Sequence, residues 1–383
     1  MKEEVKGFRD YTGEEAEKRL EIQKILTCEF EKYGFEYAET PVIEYEEFVK
    51  GENSNDEAVS DIFKLQDKGE RKLALRYEVT FQLKRLAQGK KLPYKRFQIG
   101  PVFRDEPISG NRFRQFITCD ADIIGSSLRD EAEVFSMISK IFEVLNIKGV
   151  IYVNNRKLLN EILDSLKISV KDRDSVIREI DKLDKLSEKE VLSNLKKYNA
   201  EKLIPILKNK KNYFSKFENF KEILELEKYC KLYNVKIEFS PFLARGLSYY
   251  NGTIFEVKTK EIKETILGGG AYTFSNVNSF GFGVSLERLE AVSKLKPKNK
   301  KMLIISLDQD KKAIELASKL RDKGNNVTLM YGKPSKALEY ANAKSINYAV
   351  FVGEKEVKSK KFKLKDMKTG KEISVSEKDL IVK

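Results

Sequence analysis

The chain has 383 residues, 41% hydrophobic and 35% charged, which suits two or three globular domains with a substantial core and excludes a disordered or fibrous protein. Its net charge of +13 fits a partner made of phosphates, or else the composition of a lysine-rich proteome. Neither His nor Trp occurs, which removes Ser–His and Cys–His nucleophiles and imidazole metal ligands, and leaves Arg, Lys, Glu, Asp, Tyr and a bound metal to carry any chemistry.

Thr12 and Glu15 have the spacing of a capping box, and Ala16, Leu20, Ile25, Leu26, Phe30 and Tyr33 recur at helical spacing until Gly34. Residues 35–41 read as a strand ended by Pro41, and the polar residues 50–61 as a loop. Residues 62–65 and 73–80 form a hairpin pattern about Lys68–Gly69. At its far end Glu78 and Thr80 offer a carboxylate and a hydroxyl, acceptors suited to an ammonium group, although such a pair is also common at an ordinary strand end. Residues 102–125 then set Arg104, Arg112 and Arg114 around a Pro-Ile-Ser-Gly-Asn turn and continue into an alternating strand with Asp120 and Asp122. Chemistry alone leaves open a phosphate-gripping hairpin and a solvated charged one.

A helix is expected over 131–145 and a strand over 150–153. Residues 155–235 are helical in pattern and lysine-rich, with no Gly and one proline, Pro205. That suggests an inserted helical subdomain or a helical spacer. Gly268–Gly269–Gly270 reads as a flexible run that lets backbone approach a ligand. The basic linker 294–301 marks a domain boundary, placed between 298 and 299. Beyond it, strands at 302–307, 327–331 and 348–352 alternate with helices at 311–323 and 335–344, the pattern of a parallel sheet with helices on both faces; a hairpin turns at 368–371. Cys28, Cys119 and Cys230 are too few and too scattered for a disulfide framework or zinc cluster. No run is long enough to span a membrane, and the opening stretch lacks the apolar core of a secretory signal, so the expected location is cytoplasmic.

Phe103–Glu106, Arg112–Phe116 and Asp120–Gly125 together resemble motif 2 of the class II aminoacyl-tRNA synthetases, and of the histidyl-tRNA synthetase family in particular. The first helix, strand and Pro41 resemble motif 1. Ala244-Arg245-Gly246-Leu247-Ser248-Tyr249-Tyr250 is similar to the family's R-G-L-D-Y-Y signature, with Ser248 at its aspartate. Gly268–Tyr272 resembles G-G-R-Y-D with Ala271 and Thr273 departing from it, and Gly281–Leu289 resembles motif 3 with Ser285 at a glycine.

The resemblance implies an α/β protein with two domains. Residues 1–298 would form a class II catalytic domain, an antiparallel sheet with flanking helices and an insertion at about 155–235. Residues 299–383 would form a three-layer α/β anticodon-binding domain. The implied activity is ATP-dependent attachment of histidine to tRNA(His) through a histidyl-adenylate, with Mg²⁺ and a homodimer. Arg104 and Arg245 are the implied catalytic residues. Glu78, Thr80, Thr118, Asp122, Tyr249 and Tyr250 would bind histidine, Thr118 standing where the family has glutamine. Arg104, Glu106, Arg112, Phe116 and Arg288 would bind ATP. No metal ligand can be named. The alternative is a non-charging, synthetase-like regulatory subunit of ATP phosphoribosyltransferase. Such proteins typically lack the anticodon domain and the phosphate-binding arginines, whereas Arg104, Arg112, Arg245 and Arg288 are all present here.

Overall fold

A twenty-residue helix, Gly13–Lys32, is the first element among the described residues, with Glu14 and Glu15 in its first turn and Lys32 in its last, each placed to favour the helix dipole. The expected capping box does not form: Thr12 makes no side-chain cap, and Glu15 instead meets Arg9 at 2.9 Å. The buried stripe is Arg19, Ile22, Leu26, Glu29 and Phe30, whereas Leu20 is exposed. Arg19 sets this rotation. Its guanidinium contacts Glu287 at 2.7 Å and Glu290 at 3.0 Å, so a buried charge selects the inward face as much as the apolar residues do. The computed structural model describes residues 3–51, 59, 61–108, 110, 112–184, 186–245, 249–295 and 301–380. Most of the loop expected at 50–61 lies outside them.

The chain divides into two units, Met1–Leu295 and Lys296–Lys383. The boundary expected between 298 and 299 falls among residues 296–300, outside the described ones. In the first unit the strands run β1 (Glu36–Tyr37), β2 (Ile43–Tyr45), β3 (Lys64–Gln66), β4 (Lys72–Leu75), β5 (Tyr94–Phe103), β6 (Gln115–Ile124), β7 (Val150–Asn155), β8 (Ile237–Phe239), β9 (Tyr250–Lys258), β10 (Leu267–Phe274) and β11 (Val277–Ser285). Eight of them make one sheet in the order β1-β5-β6-β11-β10-β9-β7-β8. Its interior is antiparallel and its two edge pairs, β1·β5 and β7·β8, are parallel. The antiparallel sheet expected is therefore mixed, and the strand expected over 35–41 shortens to two residues. A small sheet, β2-β4-β3, stands apart.

Period-two alternation gives this sheet two different faces. Along β6, Cys119, Ala121 and Ile123 enter the core; along β11, Phe280, Phe282 and Val284 do the same. Phe135, from the helix Leu128–Val144, meets Phe255 at 4.8 Å between ring centroids, and Phe30 meets Phe97 at 5.0 Å, so two helices cover this face. The opposite face carries the polar residues of β6. Residues 155–235 form the expected helical region, with helices such as Arg173–Asp181 and Phe220–Leu232.

Glu131 is 5% exposed within the covering helix, and burial pushes its carboxyl up to about 8, a rise only partly opposed by the Thr253 hydroxyl. The folded chain holds this proton more tightly than the unfolded chain does, so stability falls as pH rises from 4.5 to about 8. Glu131→Gln keeps the shape but cannot ionise. It should flatten that fall, and above about pH 8 it should exceed the parent by on the order of 5 kcal/mol. Urea unfolding of both proteins at low and high pH checks this, and parallel pH profiles would contradict it.

The second unit has strands β12 (Lys301–Ser306), β13 (Asn326–Tyr331), β14 (Tyr348–Val352), β15 (Lys361–Asp366) and β16 (Glu372–Ser376), ordered β13-β12-β14-β15-β16. The first three are mutually parallel and the last two antiparallel. The helices Asp310–Asp322 and Pro334–Ala343 bury Leu316 and Ala337 in separate clusters, giving the three layers expected. The short helix Glu354–Ser359 has no counterpart in the sequence reading.

Candidate active site

The polar face of the sheet floors a cleft of about 490 Å³, and every residue named above for a catalytic, histidine or ATP role lines it. Strand alternation carries Thr118, Asp120 and Asp122 to this side. Beside them β11 places Gly283 opposite Asp120 and Gly281 opposite Asp122. A Cβ at Gly283 would stand 2.7 Å from the Asp120 carboxylate, and one at Gly281 would overlap that of Asp122. The run Gly268–Gly270 is not a flexible loop; it lies within β10. A Cβ at Gly268 would fall on the Arg245 guanidinium, so the missing side chain makes room for another residue of the chain.

Arginines gather in one part of the cleft. Arg104 Nε donates to the Tyr77 carbonyl at 3.1 Å, and its guanidinium sits 5.2 Å from the Phe116 ring centroid. Arg112 faces Glu106 at 3.7 Å, and Arg288 Nη1 donates to the Thr265 carbonyl at 2.6 Å. Burial first, then the charges of Arg112 and Arg104, push the Arg288 pKa below its usual value, with Glu264 and Glu106 opposing. Mutual repulsion of this kind is relieved by a polyanion. Arg114, expected beside Arg104 and Arg112, instead pairs with Asp105 at 3.0 Å, and its stem packs under Gly7. It braces the hairpin and does not line the cleft.

Arg245 adopts a left-handed backbone, φ 45°, unusual for a residue with a side chain. Its Nη1 lies 3.4 Å from Glu256, and its guanidinium 5.8 Å from the Tyr250 centroid. Burial alone would lower its pKa, but Tyr250 and Glu256 raise it further, so the group stays charged. Residues 246–248, including Ser248, lie outside the described ones.

The remaining wall is acidic and phenolic. Glu78 and Thr80 lie just beyond β4, and Tyr249 and Tyr250 stand with ring centroids 4.7 Å apart. Burial raises the pKa of both tyrosines, keeping the hydroxyls as donors. Tyr272 donates to Asp122 Oδ1 at 2.8 Å. Burial pushes the Asp122 carboxyl up, and Arg96 and Tyr272 pull it back. Thr118 turns its hydroxyl onto Asp120, whose carboxyl burial drives up to about 6.

Sequence reasoning left several lining residues without a role: Asp120, Glu256, Glu264 and Tyr272, and Asp181 from the helical region. Alternation along β6 signals Asp120. Nothing local signals Asp181 or Glu264, because their approach depends on how distant segments fold back.

Residues 7–289 match the family described as histidyl-tRNA synthetase, and residues 297–383 match an anticodon binding domain. The chain is 34% identical to a histidine–tRNA ligase 1 of Bacillus cereus, over 97% of each chain. It is 30% identical to the histidine–tRNA ligase of Helicobacter pylori, covering 97% of this chain and 95% of that protein. A solved histidyl-tRNA synthetase from Nostoc sp. PCC 7120 superposes with a TM-score of 0.86 at 26% identity, covering 100% of this chain and 98% of the other.

Proposed function

The chain belongs to the histidyl-tRNA synthetase family, and from that premise we propose that the cleft is where histidine is activated by ATP and passed to tRNA(His). The activity is that of a histidine–tRNA ligase. The observation that carries the site reading is that Arg104 and Arg245, from segments far apart in sequence, line one cleft with the buried Asp122.

In the first step the histidine carboxylate attacks the α-phosphate of ATP in line and expels pyrophosphate. A carboxylate is already a nucleophile, so no protein base is needed and catalysis is positioning plus charge neutralisation. Arg104 holds the α-phosphate and the carboxylate, and Arg245, from the loop between β8 and β9, meets the developing charge across Gly268. Arg112 and Arg288 hold the γ-phosphate; relief of their mutual repulsion supports this role. Phe116 stacks on adenine and Glu106 reads its amino edge. Glu78 and Thr80 take the α-ammonium, with Thr118 beside them, while Asp122, Tyr249 and Tyr250 enclose the imidazole. In the second step the terminal ribose hydroxyl of the tRNA attacks the adenylate.

Mg²⁺ fits as an ATP-borne ion. Among the described residues no group of three or more acidic or thiol side chains is gathered to cage a metal. Glu264, which lines the cleft beside the arginines, is the carboxylate that would complete a shell drawn mainly from phosphate oxygens. Bound there, the ion would neutralise phosphate charge.

We also infer a homodimer. Tyr37, in the segment resembling motif 1, and Ile43 and Tyr45, just beyond it, are exposed by 56%, 49% and 57% and offer apolar surface to a second copy. A monomeric mass by light scattering would contradict this. No helix among the described residues is long and apolar enough to cross a membrane, and we place the activity in the cytoplasm, where tRNA is charged. The regulatory-subunit alternative is disfavoured: a solved ATP phosphoribosyltransferase regulatory subunit/histidyl-tRNA synthetase from Bacillus halodurans C shares the fold at a TM-score of 0.75 but only 20% identity, whereas the relative that is 34% identical over nearly the full length is a ligase and the second unit matches an anticodon binding domain. The test is histidine-dependent exchange between ATP and pyrophosphate by the purified chain; exchange that ignores histidine would overturn the reading.

A further inference from the structure

Beside Asp122, on the same face of the sheet, lies a residue that neither lines the cleft nor reaches solvent. Arg96 of β5 has no exposed surface and stands in register with Asp122 of β6. Its Nη2 lies 2.7 Å from Asp122 Oδ2, a fully buried ion pair. The same nitrogen donates to the Val79 carbonyl at 2.9 Å. Val79 is fully buried and joins Glu78 to Thr80, both of which line the cleft. We propose that Arg96 is a positioning residue for the histidine substrate, tying the segment that carries Glu78 and Thr80 to the carboxylate of Asp122.

Three features separate this from an ordinary buried ion pair. First, Arg96 Nε and Nη1 have no hydrogen-bond partner among the described residues, so the guanidinium is poorly satisfied for a group kept only for stability. Apolar residues of similar volume commonly fill such positions at no loss of stability. Second, its two contacts go to opposite ends of one ligand: the loop facing the α-ammonium and the carboxylate facing the imidazole. Third, the electrostatics agree, because Arg96 counters burial at Asp122 and also at Asp120, there after the Thr118 hydroxyl and together with Arg104. Tyr272 uses one lone pair of Oδ1 and Oδ2 is buried against Arg96, so the second lone pair of Oδ1 is the acceptor Asp122 keeps for an imidazole N–H. The proposal rests on the reading that Asp122 meets the imidazole.

The test uses the full chain and the pyrophosphate-exchange assay with histidine and ATP varied separately, comparing Arg96→Met, Arg96→Lys and Asp122→Asn. Arg96→Met should raise KM for histidine by roughly 10- to 100-fold, the usual range for residues that orient a ligating group, and leave KM for ATP within about twofold. Arg96→Lys should give a smaller rise, on the order of 3- to 10-fold, because an ammonium restores the charge but is too short to hold both acceptors. A general loss of structure would move both constants together, and that result overturns the proposal. So does a KM for histidine in Arg96→Met equal to the parent's while Asp122→Asn raises it. If Asp122→Asn also leaves it unchanged, the fault lies in the assignment of the imidazole pocket. Should Arg96→Met not fold, Arg96→Lys decides: a rise confined to histidine supports the clamp, and parental values overturn it.

Discussion

Replacing Arg245 by alanine should lower the rate of adenylate formation by about 10²- to 10³-fold, the range found when one preorganised donor to a developing charge is removed. KM for histidine should change little, because the arginine is assigned to charge that grows in the transition state. Gly268→Ala should reproduce most of the loss while leaving the arginine in the sequence. The new methyl would occupy the position of the Arg245 guanidinium and force it out of the cleft. Glu256, 3.4 Å from Nη1, offers the displaced group a partner but no route back to the substrate. Single-turnover measurement of histidyl-adenylate with both variants checks the pair. A Gly268→Ala enzyme at the parental rate would show that Arg245 does not act from where it stands.

The second large effect is expected at Asp122. Asp122→Ala should nearly abolish histidine-dependent exchange, and it should also destabilise the fold by about 3–5 kcal/mol, because Arg96 is left as an unpaired buried cation. Asp122→Asn separates the two losses. It keeps the volume and lets Tyr272 retain a partner, so folding should be closer to that of the parent. Histidine KM should still rise by about 10²-fold, as expected when a charged acceptor for a buried N–H is lost. Exchange measured beside thermal unfolding distinguishes these outcomes. Near-parental exchange with histidine in Asp122→Ala would show that the imidazole is read elsewhere.

These two residues also mark how far the sequence can be read. Asp122 and Arg245 are legible because each lies in a short motif whose residue types and order are the signal. Arg96 is not. It falls in a strand where Lys95 and Gln98 are polar too and nothing local singles it out, and its partner is chosen by the register of β5 against β6. Arg114 shows the converse, since its motif places it with the phosphate arginines and Asp105 draws it away. The glycines of β10 read as a mobile run because sequence cannot say whose side chain crosses them. Leu20 and Ile22 exchange places for a similar reason: the pairing of Arg19 with Glu287 rotates the first helix, and Glu287 lies in a segment far along the chain.

What the sequence determined by itself, then, was whatever depends on local period and residue type. It marked the alternation that sends Asp120 and Asp122 to one face of β6, the helical character of residues 155–235, the strand–helix alternation of the second unit, and the arginines suited to phosphate. Tertiary structure alone decided which charge neutralises which and which side chain fills the space a glycine leaves. It also decided which buried group holds two halves of the cleft together. The physical reason is that periodicity is written in neighbouring residues, whereas an ion pair or a close packing contact is settled by strand register and helix rotation, which bring distant segments together only when the whole sheet has formed.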